Sequence, residues 1–153
     1  MKPVTRSLFF LSAGVCLLSG ILFAEMVTDV GGDGTLTLAD GKRVALAGIH
    51  MDEDGVSVLR VLAGKQDVKL EMLSRESPGG RESAYVYLQS KSVKFSGKPG
   101  ARPSEKEVLL NEFLVEVGAA KVVEAQEFSR KDQFLKVQAA AKKKGEGVWS
   151  YVS

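Results

Sequence analysis

The chain has 153 residues, of which 44% are hydrophobic and 26% charged, with a formal net charge of +2. Lys2 and Arg6 supply this excess, because the rest of the chain carries 19 basic residues against 19 acidic ones. Balanced charge argues against a dedicated nucleic-acid binder, which usually collects phosphates with a basic excess. Cys16 is the only cysteine, which excludes an intrachain disulfide.

The N-terminal segment predicts export. A positively charged start precedes an uncharged run from Ser7 to Ala24, which is the pattern of a secretory signal peptide. Ala24 suits a cleavage site, although Leu22 occupies the other position that favours a small side chain. A retained membrane anchor is the alternative, since a run of this length just spans a bilayer. We therefore predict a signal peptide or membrane anchor over residues 1–24 and one extracytoplasmic domain over residues 25–153.

Turn residues and hydrophobic alternation then predict a series of short strands. Asp40-Gly41 is a hairpin signal, and the run before it alternates apolar and β-branched residues. The main strands are expected at residues 26–30, 35–38, 43–49, 67–73 and 83–89, with a further short strand at 120–124.

Three helices are predicted between and after these strands. They are expected at residues 52–64, 108–117 and 129–144. In the first, Val58, Leu59 and Leu62 are predicted to face the core, and Ser129 is predicted to cap the last. This order indicates an α+β protein built on a five-stranded OB-type barrel.

A polar, basic loop is predicted at residues 90–104. It contains two prolines and two glycines, which favour a mobile excursion. Its candidate binding residues are Lys91, Lys94, Lys98 and Arg102. Such a loop can grip single strands or be simply solvated. We expect a monomer with weak, salt-sensitive nucleic-acid binding at most, and membrane contact only if the N-terminal segment is retained.

Several segments resemble the staphylococcal nuclease family. The similar segments are GDGTLTL, VALAGIHMDE, GRESAYVYL, LLNEFLVEVGAAKV and AAAKKKGEGVW. They follow one another in the family's order and cover nearly all of residues 25–153. The resemblance implies a five-stranded OB-type barrel with three helices and the calcium-dependent hydrolysis of phosphodiester bonds in DNA and RNA.

The resemblance also implies two catalytic residues. Glu53 falls at the position of the glutamate that activates water, and Arg81 at that of the second phosphate-binding arginine. Each has a plainer interpretation as well. Glu53 also suits a helix start, where the macrodipole favours an acid, and Arg81 also suits a surface ion pair.

Four other positions depart from the family pattern. The first arginine is replaced by Ala45, and Arg43 lies about 7 Å away along a strand. The aspartate of the turn is replaced by Gly34. The second aspartate and the following threonine are replaced by His50 and Met51.

These departures predict the loss of the metal site. Calcium prefers six to eight oxygen ligands, and imidazole suits transition metals better. Asp33 and Asp52 can be ligands only if the site is shifted. We therefore expect no cofactor if the protein is inactive, and calcium if it has kept nuclease activity. The leading hypothesis is a catalytically degenerate binding module. The alternatives are a secreted phosphodiesterase with a rearranged metal site and a structural envelope protein.

Overall fold

The computed structural model describes the backbone of residues 22–77, 81–89 and 107–151, and the side chains of residues 24–73, 82–89 and 107–151. The strands are β1 (Leu22–Val30), β2 (Leu36–Leu38), β3 (Arg43–Leu46), β4 (Ile49–His50), β5 (Asp67–Ser77), β6 (Arg81–Leu88), β7 (Val108–Leu109) and β8 (Lys121–Val122). The helices are α1 (Glu53–Ala63), α2 (Leu110–Glu116) and α3 (Lys131–Lys144), followed by a 3-10 turn at Gly147–Trp149. No helix in these ranges is long and apolar enough to cross a membrane.

Five of the strands form a closed barrel. Their order is β3-β2-β1-β5-β6, and a parallel pairing of β3 with β6 closes the ring. β7 extends β6 at its edge, while β4 and β8 form a separate two-stranded ribbon. The predicted OB-type barrel with three helices is therefore confirmed. Residues 1–21 of the expected N-terminal signal or anchor helix and the loop at 90–104 lie outside the described residues, whereas residues 22–24 belong to β1.

The barrel interior is filled by alternate residues of its strands. Fully buried examples are Val27, Leu36, Val44, Leu70 and Val86. This alternation follows from the two-residue period of a strand, which sends successive side chains to opposite faces. Helices α2 and α3 cover one side, where Phe134 packs edge-on against Tyr85 at a centroid distance of 6.2 Å.

Strand β1 begins earlier than predicted. It starts at Leu22 rather than Met26, and its first residues pair with β5 through Leu22–Glu71, Phe23–Leu70 and Ala24–Lys69. The apolar composition of this stretch suggested part of a signal sequence. In the fold, β5 lies beside the same residues and pairs with them, so they form part of a strand.

The predicted strand over residues 43–49 is divided in two. Gly48 has φ +75°, a left-handed conformation that interrupts the extended backbone. A Cβ atom at Gly48 would lie 2.5 Å from the ring of Phe128, so the ring occupies the space that a side chain would need. After this break, β4 turns away to pair with β8.

Helix α1 faces the core with part of the predicted stripe: Leu59 is buried and Leu62 packs against the core, but Val58 does not face it. Its buried positions are Gly55, Val56, Leu59 and Ala63, whereas Val58 is 38% exposed. The glycine allows the closest contact, because a Cβ atom at Gly55 would collide with the carbonyl oxygen of Ala119. Backbone proximity, which the sequence pattern does not reveal, therefore sets the orientation of the helix.

The ends of the other helices also differ from the prediction. α2 begins at Leu110, because the two preceding residues pair with β6 as β7. Ser129 does not cap α3: Arg130 is the residue at the N-cap, with no side-chain cap bond. The Ser129 hydroxyl instead lies 3.0 Å from that of Tyr85, so a tertiary partner has replaced the local one.

Candidate functional site

The start of α1 carries two acidic residues with different roles. Asp52 is the N-cap, and its Oδ1 accepts a 2.9 Å hydrogen bond from the Gly55 N–H. Glu53 is the first helical residue and is exposed. Its carboxylate has no hydrogen bond or ion pair with a described residue, so it is available to water. Of the two, only Glu53 keeps the freedom that a water-activating carboxylate needs.

The turn between β1 and β2 contacts the segment before α1. A Cβ atom at Gly34 would lie 2.5 Å from Cε of Met51 and 3.8 Å from Cγ2 of Val56. Gly34 also has φ +77°, which disfavours most side chains. Two positions that the resemblance assigned to metal ligation therefore do meet in space. They meet as a glycine and a thioether methyl group, so the turn position offers calcium no side-chain oxygen. The ligand that the resemblance implies at Met51 is a backbone carbonyl, and the methionine keeps that group while its side chain fills the space beside Gly34.

Asp33, one residue earlier, is held within its own turn. Its Oδ1 accepts a hydrogen bond of 3.1 Å from the Thr35 N–H. Its Oδ2 lies 3.9 Å from Nη2 of Arg43, with both side chains well exposed. An exposed pair of this kind contributes little to stability, but the pair and the turn direct the carboxylate toward β3.

The two arginine positions lie on neighbouring parallel strands. Ala45 of β3 pairs with Ser83 of β6, and Val44 with Glu82. Arg81 is the first residue of β6, where its backbone pairs with Ser77; its side chain lies outside the described part. The backbone thus places Ala45 and Arg81 on neighbouring strands, two residues out of register, and the alanine methyl on β3 cannot donate a hydrogen bond.

These residues do not fit a calcium ion. Among the described residues, no group of three or more His, Cys, Asp or Glu side chains is placed to hold a metal. Asp33 and Asp52 each accept a backbone hydrogen bond, and Met51 rather than an oxygen ligand faces the turn. His50 is exposed at the end of β4, opposite Lys121 in the ribbon, and no described His, Cys, Asp or Glu group gathers around it. The predicted binding residues Lys91, Lys94, Lys98 and Arg102 lie outside the described residues.

A hydrogen-bonded cluster on the flank of β6 was not predicted from the sequence. The Tyr87 hydroxyl donates to Oε2 of Glu71 at 2.8 Å and accepts from Nη2 of Arg130 at 2.9 Å. Burial, and secondly the bond to Glu71, raises the pKa of Tyr87 to about 12. The Arg130 guanidinium also lies 5.1 Å from the centre of the Tyr85 ring. Glu71 and Tyr85 are register partners, so the strand pairing was the signal that could have located part of this cluster.

A concave surface lies between α1, α2 and the C-terminal turn. It encloses about 810 Å³, and its apolar lining includes Val58, Leu62, Phe113 and Tyr151. Acidic side chains at the start of α1 and Lys121 border it. It is separate from the contact between Gly34 and Met51, since neither residue lines it.

A comparison with protein families agrees with the architecture. The family model described as staphylococcal nuclease homologue matches residues 57–151, well over half of the chain. No curated protein matches the chain. The matched segment includes β5, β6, α2 and α3, and it includes Arg81. It begins after the four replaced positions and after Glu53.

Proposed function

The chain belongs to the family of staphylococcal nuclease homologues, and from this premise we propose that it is an exported, catalytically degenerate member that acts as a binding or interaction module. Small barrels of the OB type commonly present a face to oligonucleotides or other polymers. The fold alone does not specify the ligand, so the proposal about chemistry depends on the site residues.

One observation carries the proposal. The space beside Gly34, where the family pattern has an aspartate, is occupied by the Met51 methyl group. A calcium ion needs oxygen ligands around it, whereas a thioether methyl supplies none and excludes water. Losing the turn aspartate alone would leave a polar gap. Here a packed apolar contact has replaced it, which supports loss of the site over a shift of its ligands.

The chain also has fewer cationic groups at the positions that would stabilise the transition state. Phosphodiester hydrolysis builds negative charge on the phosphoryl oxygens, and preorganised cationic donors stabilise it. Ala45 supplies no guanidinium group. By analogy, the loss of one preorganised donor lowers the rate by about 10²–10³. Glu53 can still activate a water molecule and Arg81 can hold a phosphate oxygen, but both act best beside a bound cation.

Hydrolysis of denatured DNA by the purified exported protein tests this proposal. Parallel reactions with calcium, with zinc and with a chelator should all match the protein-free background. Calcium-dependent cleavage that Glu53→Gln or Arg81→Ala abolishes would contradict the proposal. That result would support the second function, a secreted phosphodiesterase with a rearranged metal site.

A restored variant gives the test a positive arm. Gly34→Asp, Ala45→Arg, His50→Asp and Met51→Thr together should recover calcium binding, measured by calorimetry, and some cleavage. The matched control carries the first three substitutions and keeps Met51. It should bind calcium far more weakly, because the methionine still fills the place of the ion's ligands. Equal binding by both variants would show that Met51 does not obstruct the site.

The binding role has its own measurement. Nucleic-acid affinity is expected to be weak and to fall steeply with salt, because balanced charge leaves only a local patch to collect phosphates. Alanine at Lys91, Lys94, Lys98 and Arg102 should remove what affinity there is. Tight binding at physiological salt that survives these substitutions would place the binding surface elsewhere.

A further inference from the structure

Strand β1 crosses the junction where the sequence suggests cleavage. A cut after Ala24 would remove Leu22, Phe23 and Ala24, the first three residues of the strand. All three pair with β5, opposite Glu71, Leu70 and Lys69. The residues that resemble the end of a signal peptide are therefore part of the barrel.

Removal of these residues would damage the barrel wall. The facing segment of β5 contains Leu70, which is 1% exposed, and it would lose its partner strand on one side. Unpaired backbone groups at a sheet edge cost free energy when they cannot be solvated, and an open edge invites pairing with other chains. A chain beginning at Glu25 would therefore have a barrel open along part of one seam.

The sequence rule for cleavage does not separate the candidate sites. Cuts after Ser19, Gly20 and Ala24 each follow a small residue, and each has a leucine two positions before that residue. The three sites are thus equivalent in the small-residue pattern that marks a cleavage site. Strand pairing separates them, because only the first two leave β1 complete.

Strand pairing also bears on the alternative of a retained anchor. With β1 formed from Leu22, the apolar run left upstream extends from Ser7 to Ile21. This run is about 15 residues long, whereas a membrane-spanning helix needs about 20 consecutive apolar residues. A run of that length suits the apolar centre of a signal peptide better than a membrane span.

We propose that the exported chain is cleaved upstream of Leu22, after Ser19 or Gly20, so that the mature domain keeps the whole of β1. The inference rests on the export proposed above. It concerns a different property, since export and the position of the cut can fail separately.

The test expresses the full chain in a secreting bacterial host and measures the intact mass and N-terminal sequence of the exported protein. The expected N-terminus is Gly20 or Ile21. An exported protein that begins at Glu25, or a membrane-embedded chain that keeps Met1, would overturn the inference. Absence of the chain from the exported fraction, with no cleavage, would contradict the export on which it rests.

Two variants of the full chain sharpen the result. Replacing both Ser19 and Gly20 with leucine should abolish processing, and the uncleaved precursor should accumulate. The matched control, Ala24→Leu, removes the small residue of the competing site at an exposed position. It should leave the N-terminus of the exported protein unchanged. Loss of processing in Ala24→Leu, with normal processing in the double variant, would reverse the assignment.

Discussion

Two regions of this barrel differ in how far their residues match the family pattern. The first is the joint between α2 and the barrel, where Asn111 is fully buried. Its side chain accepts from the Val86 N–H and donates to the carbonyl oxygens of Ala47 and Ala84. The second is the turn contact between Gly34 and Met51, where the polar groups expected from the family are missing. The joint holds a polar side chain inside the core, whereas the turn holds a buried glycine against a half-buried methionine.

The difference separates what a family resemblance reports about folding from what it reports about function. Asn111 belongs to the similar segment LLNEFLVEVGAAKV, and its hydrogen bonds tie α2 to β6 and to the residue that follows β3. Such a residue is needed for the fold whether or not the protein is an enzyme. The barrel closes through the pairing of β3 with β6, although the turn positions depart from the family pattern. A strong match in the first region therefore carries no information about activity in the second.

The largest expected effect tests the joint. Asn111→Ala should lower the free energy of unfolding by roughly 3 kcal/mol, because the Val86 N–H and the Ala47 carbonyl would lose this buried partner. Urea denaturation measures the change. The control is Gln133→Ala, which removes an exposed bond to Glu112 and should cost about 0.5 kcal/mol or less. Equal costs for the two variants would break the comparison.

An intermediate effect tests the turn. Gly34→Asp alone should destabilise the protein by about 1–3 kcal/mol, since its Cβ would meet Met51 and its backbone φ is positive. Adding Met51→Thr should return about 1 kcal/mol in a double-mutant cycle. Gly32→Asp is the matched control, because nothing lies within 4 Å of its Cβ position. A cycle with no coupling would mean that the two residues are not in contact.

The smallest effect concerns Tyr87, on the same strand as the joint. Its pKa in the folded protein is raised to about 12, above the ordinary value near 10. The contribution of its neutral hydroxyl is therefore fully present below pH 10 and is lost as pH rises from about 10 to 12. Thermal melts of wild type and Tyr87→Phe should differ most near pH 9 and converge toward pH 12. A difference independent of pH would contradict the raised pKa.

Much of the fold followed from local pattern. The glycine-rich turn and the Asp40-Gly41 hairpin lie where predicted, and Asp52 and Gly64 bound the first helix as expected. The errors fell where a distant segment decided the outcome. Phe128 packs over Gly48, where the predicted strand over residues 43–49 is interrupted. The close approach of Ala119 to Gly55 determines which side of α1 faces the core. The Ser129 hydroxyl, which was predicted to cap α3, is within hydrogen-bond distance of the Tyr85 hydroxyl instead.

For the candidate site, too, the sequence predicted the residue types but not the contacts between them. The sequence identified which positions depart from the family pattern, because residue identity alone decides whether a side-chain oxygen or a guanidinium group is present. It did not show that Met51 fills the space beside Gly34, or that Asp33 pairs with Arg43. Those are distances between residues far apart in the chain, and no local propensity encodes them.

By itself, then, the sequence determined the barrel class, the three helices and the departures from the family pattern at Gly34, Ala45, His50 and Met51. These depend on periodicity, turn chemistry and side-chain identity, all of which are local properties of the chain. Tertiary structure alone decided where β1 begins, because a strand extends as far as its neighbour offers backbone partners. It also decided that the turn is closed by an apolar contact, because close packing of two distant segments determines which side chain fills the space.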